Sequence, residues 1–323
     1  MTNNIPRPLL STRLFPKTKG ANNYNTTGIA SCCDWVLHSD YNEPFTHLVR
    51  QNGTNDPKHV FLSLRSPIKA IITFSTEILP RLTTPFVLIS GSEDCTLPTQ
   101  TDKRWPPFSP ALQQMIESIR THPLLLHWFA ENLESDALSK MSPLPVGMVY
   151  RFNDKIEHLE NFAKPLPIID RELKVLCGHR VRNGAQWELR RQVTALSNTV
   201  WSEFCTVNKK ELSEQDYIAQ IKAHSFVLCV EGGGIDPSPK AWQALLHGAI
   251  PIIRKTGTYR AYADLPVVFV DDWQAESLSI KRLTKWRNDL APYYDDLDLR
   301  SQTLHRLGLE YWWGKVLAAA TKN

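Results

Sequence analysis

Short apolar runs recur along this chain, separated by stretches whose apolar residues follow helical spacing. VFLSL (60–64), PFVLIS (85–90), LLLHWF (124–129) and PLPVGMV (143–149) have the length and composition of buried strands. Between them, residues 66–81 and 109–121 each open with Ser-Pro, an N-cap followed by proline at the first helical position, and continue with helical periodicity. A proline-rich segment, AKPLPIIDR (163–171), interrupts the pattern, which then restarts. LKVLCG (173–178), SFVLCV (225–230), AIPIIRK (249–255) and PVVFVD (266–271) read as strands. Helices are expected over 187–200, 213–224, 238–248, 275–290 and 299–320. Strands alternating with helices predict mostly parallel sheets covered on both faces. The expected architecture is α/β, with two Rossmann-like domains facing a cleft and C-terminal helices closing the structure. Residues 1–168 form the first domain and 169–323 the second, with the last helix able to pack back on the first.

Composition narrows the class. At 323 residues the chain has room for about two domains, each burying its own core. With 42% apolar and 22% charged residues it is neither disordered nor fibrous. A net charge of +4, with no block of five like charges, argues against a nucleic-acid partner. No run approaches the ~20 apolar residues of a membrane span, and the N-terminus has no signal-peptide core, so no transmembrane segment is expected. The six cysteines show neither CxxC nor zinc spacing, which predicts reduced thiols, no metal site and a cytoplasmic location. Ten tryptophans are a heavy load; Trp128, Trp242 and also Tyr259 are candidates for stacking on a base or a sugar.

The richest chemistry lies in SFVLCVEGGGIDPSPKAWQALLHGAIPIIR (225–254). A strand ends at Glu231, and Gly232, Gly233 and Gly234 follow, able to take positive φ and to approach a ligand closely. Ser238 suits an N-cap, Pro239 the first helical position and Gly248 the C-terminal stop. The helix start, with Lys240 in its first turn, suits a phosphate. Lys240, Gln243 and His247 share one helix face, and Ala241, Ala244 and Leu245 the apolar one. Glycines after a strand are common, and both the GxGxxG fingerprint and the Walker A pattern are absent, which disfavours a dinucleotide-dependent enzyme.

DPSPKAWQALLHGAIPII resembles the donor-binding segment of exostosin-like glycosyltransferases of GT-B fold. Ser238, Lys240, Gly248, Ile250 and Pro251 match; Gln243 stands where that family usually has an acidic residue that meets the ribose. FVLISGSEDCTLP, LLLHWFAENLESDALSKMSPLPVGM and KVLCGHRVRNGAQWELRR resemble successive stations of a viral and microbial branch, so the likeness covers about residues 85–255. It implies transfer of a sugar from a nucleotide-diphosphate sugar to a glycan or other hydroxyl acceptor, inverting and metal-independent, with no cofactor beyond the donor. Under that reading Arg180, Arg182, Arg190 and Lys240 would meet the diphosphate, and Glu231 the donor sugar. Asp94, ahead of Glu93, would be the base, and His127 and Asn132 would face the acceptor or the cleft. Gln243 motivates the alternative, a nucleotide- or carbohydrate-binding protein that keeps the fold without the chemistry.

Overall fold

A computed structural model describes residues 6–10, 26–40, 45–103, 105–149, 157–208 and 210–321. Two sheets organise it. The first is built from β1 (Trp35–Asp40), β2 (Phe45–Arg50), β3 (His59–Ser63), β4 (Phe86–Gly91), β5 (Leu125–Ala130) and β6 (Met141–Pro143), in the order β2-β1-β3-β4-β5-β6. All neighbours are parallel except the β1–β2 hairpin pair. Helices α1 (Pro67–Thr73) and α2 (Pro110–Arg120) make two of the crossovers. The second sheet is wholly parallel, with order β11-β10-β9-β7-β8. Its chain order is β7 (Glu172–Cys177), α3 (Glu188–Asn198), β8 (Cys205–Val207), α4 (Glu214–Ala223), β9 (His224–Leu228), α5 (Lys240–Leu246), β10 (Ile250–Arg254) and β11 (Val268–Val270). Four helices follow: α6 (Ile280–Leu290), α7 (Pro292–Asp295), α8 (Leu297–Arg306) and α9 (Leu309–Ala320). The molecule is thus two Rossmann-like α/β halves with C-terminal helices.

Side-chain alternation assigns the two faces of the first sheet. Val60, Leu62, Phe86, Leu88 and Trp128 point into a core closed by α1 and α2. Their neighbours Phe61, Val87, Ile89 and Phe129 point the other way, into a core that includes Trp312 and Val316 of α9 and runs on into the second half. The last helix therefore covers the far face of the first sheet.

Several elements depart from the sequence expectations. PLPVGMV is not a strand: β6 ends at Pro143, and the run continues as a loop held by Met148 N donating to the Leu9 carbonyl (2.8 Å). The helix expected over 66–81 is α-helical only to Thr73, then passes through a π turn and a 3-10 turn that contains Pro80. β1, β2 and β8 have no counterpart in the hydrophobic pattern. β1 is buried along its whole length but ends in His38, Ser39 and Asp40, so it carries neither an apolar run nor an alternation. Six of the ten tryptophans (Trp35, Trp128, Trp201, Trp242, Trp273 and Trp312) are core residues, which accounts for much of the tryptophan load.

Candidate active site

In the second sheet α3 carries the chain from β7 to β8 on one side, and α4 carries it from β8 back past β7 to β9 on the other, so the order reverses between β7 and β9. Ligand crevices in open α/β sheets lie at the strand carboxyl ends beside such a reversal. A cleft of about 1150 Å³ opens there, between the loop after β7, the loop after β8 and the glycine loop after β9. Among the anticipated residues it gathers Arg180, Arg182, Arg190, Gly232, Gly233, Gly234, Ser238, Lys240 and Gln243 from the second half, and Asp94 from the first.

The cations differ in kind. Arg180 is exposed and ion-paired to Glu211. Arg182 is also exposed, 6.0 Å from the Trp187 ring centre. Arg190 lies deeper: its Nε donates to the Glu231 carbonyl (2.9 Å) and its guanidinium sits 4.7 Å from the Trp187 ring centre. Burial pushes its pKa down to about 10, against the opposing pull of Asp94 and Glu231. Lys240 makes no hydrogen bond or ion pair to a described residue. Burial, and next the Arg190 charge, push its ammonium down to about 7, with Asp94 and Glu231 pulling the other way. His179 stays neutral, pushed down to about 3 by burial and then by Lys240; its Nε2 faces the Arg190 carbonyl (3.1 Å) and the Thr194 hydroxyl (2.9 Å). Two neighbouring cations, neither salt-bridged to a described residue, line a recess that an anion would relieve.

The glycine loop works by close approach. None of Gly232, Gly233 and Gly234 has positive φ, contrary to the sequence expectation. A Cβ at Gly232 would stand 2.8 Å from Arg190 Nη2, and one at Gly234 2.3 Å from Asn132 Oδ1. Ser238 does not cap the following helix: α5 starts at Lys240 after a cis Ser238–Pro239 bond, and no side chain caps it. The Ser238 hydroxyl bonds Tyr262 instead (2.8 Å), and Tyr262 donates to Asp236 (2.7 Å). The opposite end of α5 behaves as expected. Gly248 has φ +81, and Lys240, Gln243 and His247 are the half-exposed residues of an otherwise buried helix. At that end Arg300 donates to the carbonyls of Leu245 and Leu246 (2.8 Å each) and of Phe162 (2.9 Å).

Other anticipated residues stand elsewhere. The Glu231 carboxylate turns away from the cleft, accepting from Arg254 Nε (2.6 Å) and Trp273 Nε1 (3.2 Å), so it is placed to brace β9 rather than to touch a sugar. Glu93 lies behind Asp94, 4.0 Å from Arg65, and accepts the Asp94 N–H (3.1 Å). His127 points along the first sheet to the Ser142 hydroxyl (2.9 Å). Asn132 is buried between loops. Trp128 and Trp242 are core, donating to Ser90 (2.8 Å) and Leu307 (3.1 Å), and Tyr259 packs on Phe269 (6.2 Å). Trp187 and Tyr217 line the cleft, and sequence reasoning missed both; Trp187 is the one that meets the arginines. Its signal was position: a tryptophan at the start of the helix following the arginine loop, three residues before Arg190.

No family model matches the chain, and no curated protein matches it. Among solved structures it is similar to the spinosyn rhamnosyltransferase SpnG complexed with thymidine diphosphate, at 11% identity and a TM-score of 0.38, over 78% of this chain and 69% of that one. A second structure of spinosyn rhamnosyltransferase SpnG gives 11% identity and a TM-score of 0.36 over the same shares. Likeness at this level bears on neither donor nor acceptor.

Proposed function

We propose that the protein is an exostosin-like glycosyltransferase that takes its sugar from a nucleoside-diphosphate donor bound in the second half. The observation that carries this reading is Lys240, which has no hydrogen bond or ion pair to a described residue and stands beside Arg190 at the carboxyl ends of β7 and β9. Departure of a nucleoside diphosphate leaves negative charge on the phosphate oxygens, and fixed cations in a recess stabilise it most where charge develops. Asp94 comes to the same cleft from the opposite half, where a base for the acceptor hydroxyl belongs. In the proposed reaction the acceptor oxygen attacks the anomeric carbon from the face opposite the diphosphate and inverts it. The carbon–oxygen bond to phosphate breaks with its electron pair, and Asp94 takes the acceptor proton. Two side-chain cations can supply the charge for departure, so transfer is expected to persist in EDTA. The mildly positive chain and its six free thiols fit a reducing cytoplasm, and no helix among the described residues is long and apolar enough to cross a membrane.

The test is a panel of nucleotide sugars assayed for hydrolysis and for transfer to simple glycosides. Activity lost in Asp94→Asn and in Lys240→Met supports the reading; a protein that binds no nucleoside diphosphate overturns it. Gln243 favours a second reading. It lines the cleft at the position where the resembling family carries an acid. Nucleotide binding without turnover of any donor would select a binding protein on the same fold.

A further inference from the structure

Asn132 follows β5 with φ +53 and is 1% exposed. Its amide joins both sides of the cleft. Oδ1 accepts the backbone N–H groups of Ile235 and Asp236, each at 2.9 Å, while Nδ2 donates to the Glu93 carbonyl at 3.3 Å. One end must accept and the other donate, which suits an amide and neither a carboxylate nor an aliphatic side chain. Gly234 is the counterpart: a Cβ there would lie 2.3 Å from Asn132 Oδ1 and 3.0 Å from the Asp94 carbonyl.

Other contacts also tie the halves. Lys103 pairs with Glu188 (3.1 Å), Arg260 with Asp136 (2.8 Å), and Val146 N–H approaches Asp236 Oδ2 (3.4 Å). Asn132 differs from these in touching both the loop that carries Asp94 and the loop that runs from the Arg190 contact to Lys240.

We propose that Asn132 is a positioning residue: its amide sets the spacing between the Asp94 loop and the glycine loop before any ligand arrives. The inference rests on the cleft being the anion site described above. The loop it fixes places the Glu231 carbonyl that holds Arg190 and leads into Lys240, so a shift of the loop displaces both cations relative to Asp94.

The experiment compares Asn132→Ala, Asn132→Asp and, as a tether away from the cleft, Arg260→Ala, by calorimetric titration of inorganic pyrophosphate and by amide hydrogen exchange. Asn132→Ala is expected to lose roughly 10- to 100-fold in pyrophosphate affinity, the scale of a misplaced contact group. Asn132→Asp keeps the two accepted N–H bonds but turns a buried carboxylate oxygen on the Glu93 carbonyl, so it should lose affinity as Asn132→Ala does. Arg260→Ala should bind as wild type does. Without ligand, Asn132→Ala should lose exchange protection at Ile235 and Asp236 and in residues 93–97 together, and Arg260→Ala in neither. Unchanged pyrophosphate affinity in an Asn132→Ala protein of lowered thermal stability would overturn the proposal, since Asn132 would then only hold the fold. Loss of protection in one loop alone would overturn it too. Wild-type protein that ignores pyrophosphate sinks the anion-site reading by itself, and hydrogen exchange still decides whether Asn132 couples the two loops.

Discussion

Trp187 presents its ring face to Arg190, whose guanidinium carbon lies 4.7 Å from the ring centre. The cation is therefore held from two sides, by the indole and by the Glu231 carbonyl. A cation–π contact of this kind is worth about 0.5–2 kcal/mol. Trp187→Ala should then weaken pyrophosphate binding by roughly 2- to 30-fold. Because the ring acts through the guanidinium, the Trp187→Ala/Arg190→Ala double variant should bind no worse than Arg190→Ala alone. Titration calorimetry on the three variants checks both statements, and additive losses would show that the ring acts independently of the arginine.

Lys240 makes binding pH-dependent. Its pKa in the free protein is about 7, against 10.5 for an ordinary lysine, and a bound diphosphate must raise it. Above about pH 7 the ligand therefore has to bring a proton with it, and affinity falls by up to about tenfold per pH unit until the pKa of the complex is reached. A nucleotide sugar is the ligand to use, since its diphosphate diester has no ionisation in this range. Calorimetry at pH 8 in buffers of different ionisation enthalpy should show proton uptake, absent in Lys240→Met. The sign for folding follows from the same shift. Between about pH 7 and 10.5 the unfolded chain holds the proton that the folded chain sheds, so this residue's contribution to stability rises with pH. A pH-independent affinity would remove Lys240 from the anion site.

The two clefted glycines should separate binding from folding. At Gly232 the obstacle is the end of the Arg190 side chain, 2.8 Å from the added Cβ, and a flexible side chain can move. Gly232→Ala is expected to fold normally and bind pyrophosphate poorly. At Gly234 the obstacles are a buried, hydrogen-bonded amide at 2.3 Å and a backbone carbonyl at 3.0 Å. Gly234→Ala should cost about 2–3 kcal/mol of stability, read from urea unfolding. Equal stability loss in both variants would contradict this assignment.

Arg300 is 1% exposed and serves the carbonyls of Leu245, Leu246 and Phe162. Burial pushes its pKa down to about 10, so the charge is retained at neutral pH. Arg300→Met would leave those carbonyls without this donor at the end of α5 remote from the cleft. A loss of about 3–5 kcal/mol is expected in urea unfolding, with pyrophosphate affinity unchanged where the variant stays folded. A change of affinity at constant stability would mean that α5 transmits strain from one end to the other.

Much of the fold was legible because its strands are buried on both faces and read as apolar runs, as PFVLIS and SFVLCV do. The hairpin of β1 and β2 was not, because a buried His38-Ser39-Asp40 resembles a loop until its neighbours are known. In the site, the residues fixed by local spacing came through: Lys240 and Gln243, three apart on one helix, both line the cleft because a helix repeats every 3.6 residues. Those whose role depends on a distant partner did not. Nothing near Glu231 in the sequence reveals that Arg254 and Trp273 will claim its carboxylate. Nothing near Asn132 reveals that the backbone of residues 235 and 236, a hundred positions on, will claim its amide.

The covering of the first sheet by α9 has a consequence for synthesis. Phe61, Val87, Ile89 and Phe129 share a core with Trp312 and Val316. During translation the first half emerges with that sheet face bare, and it stays bare until Trp312 and Val316 have been made and have cleared the ribosome. Nascent chains stalled before residue 309 should therefore present a sticky apolar face and attract chaperones, even though every strand of the first sheet has already been made.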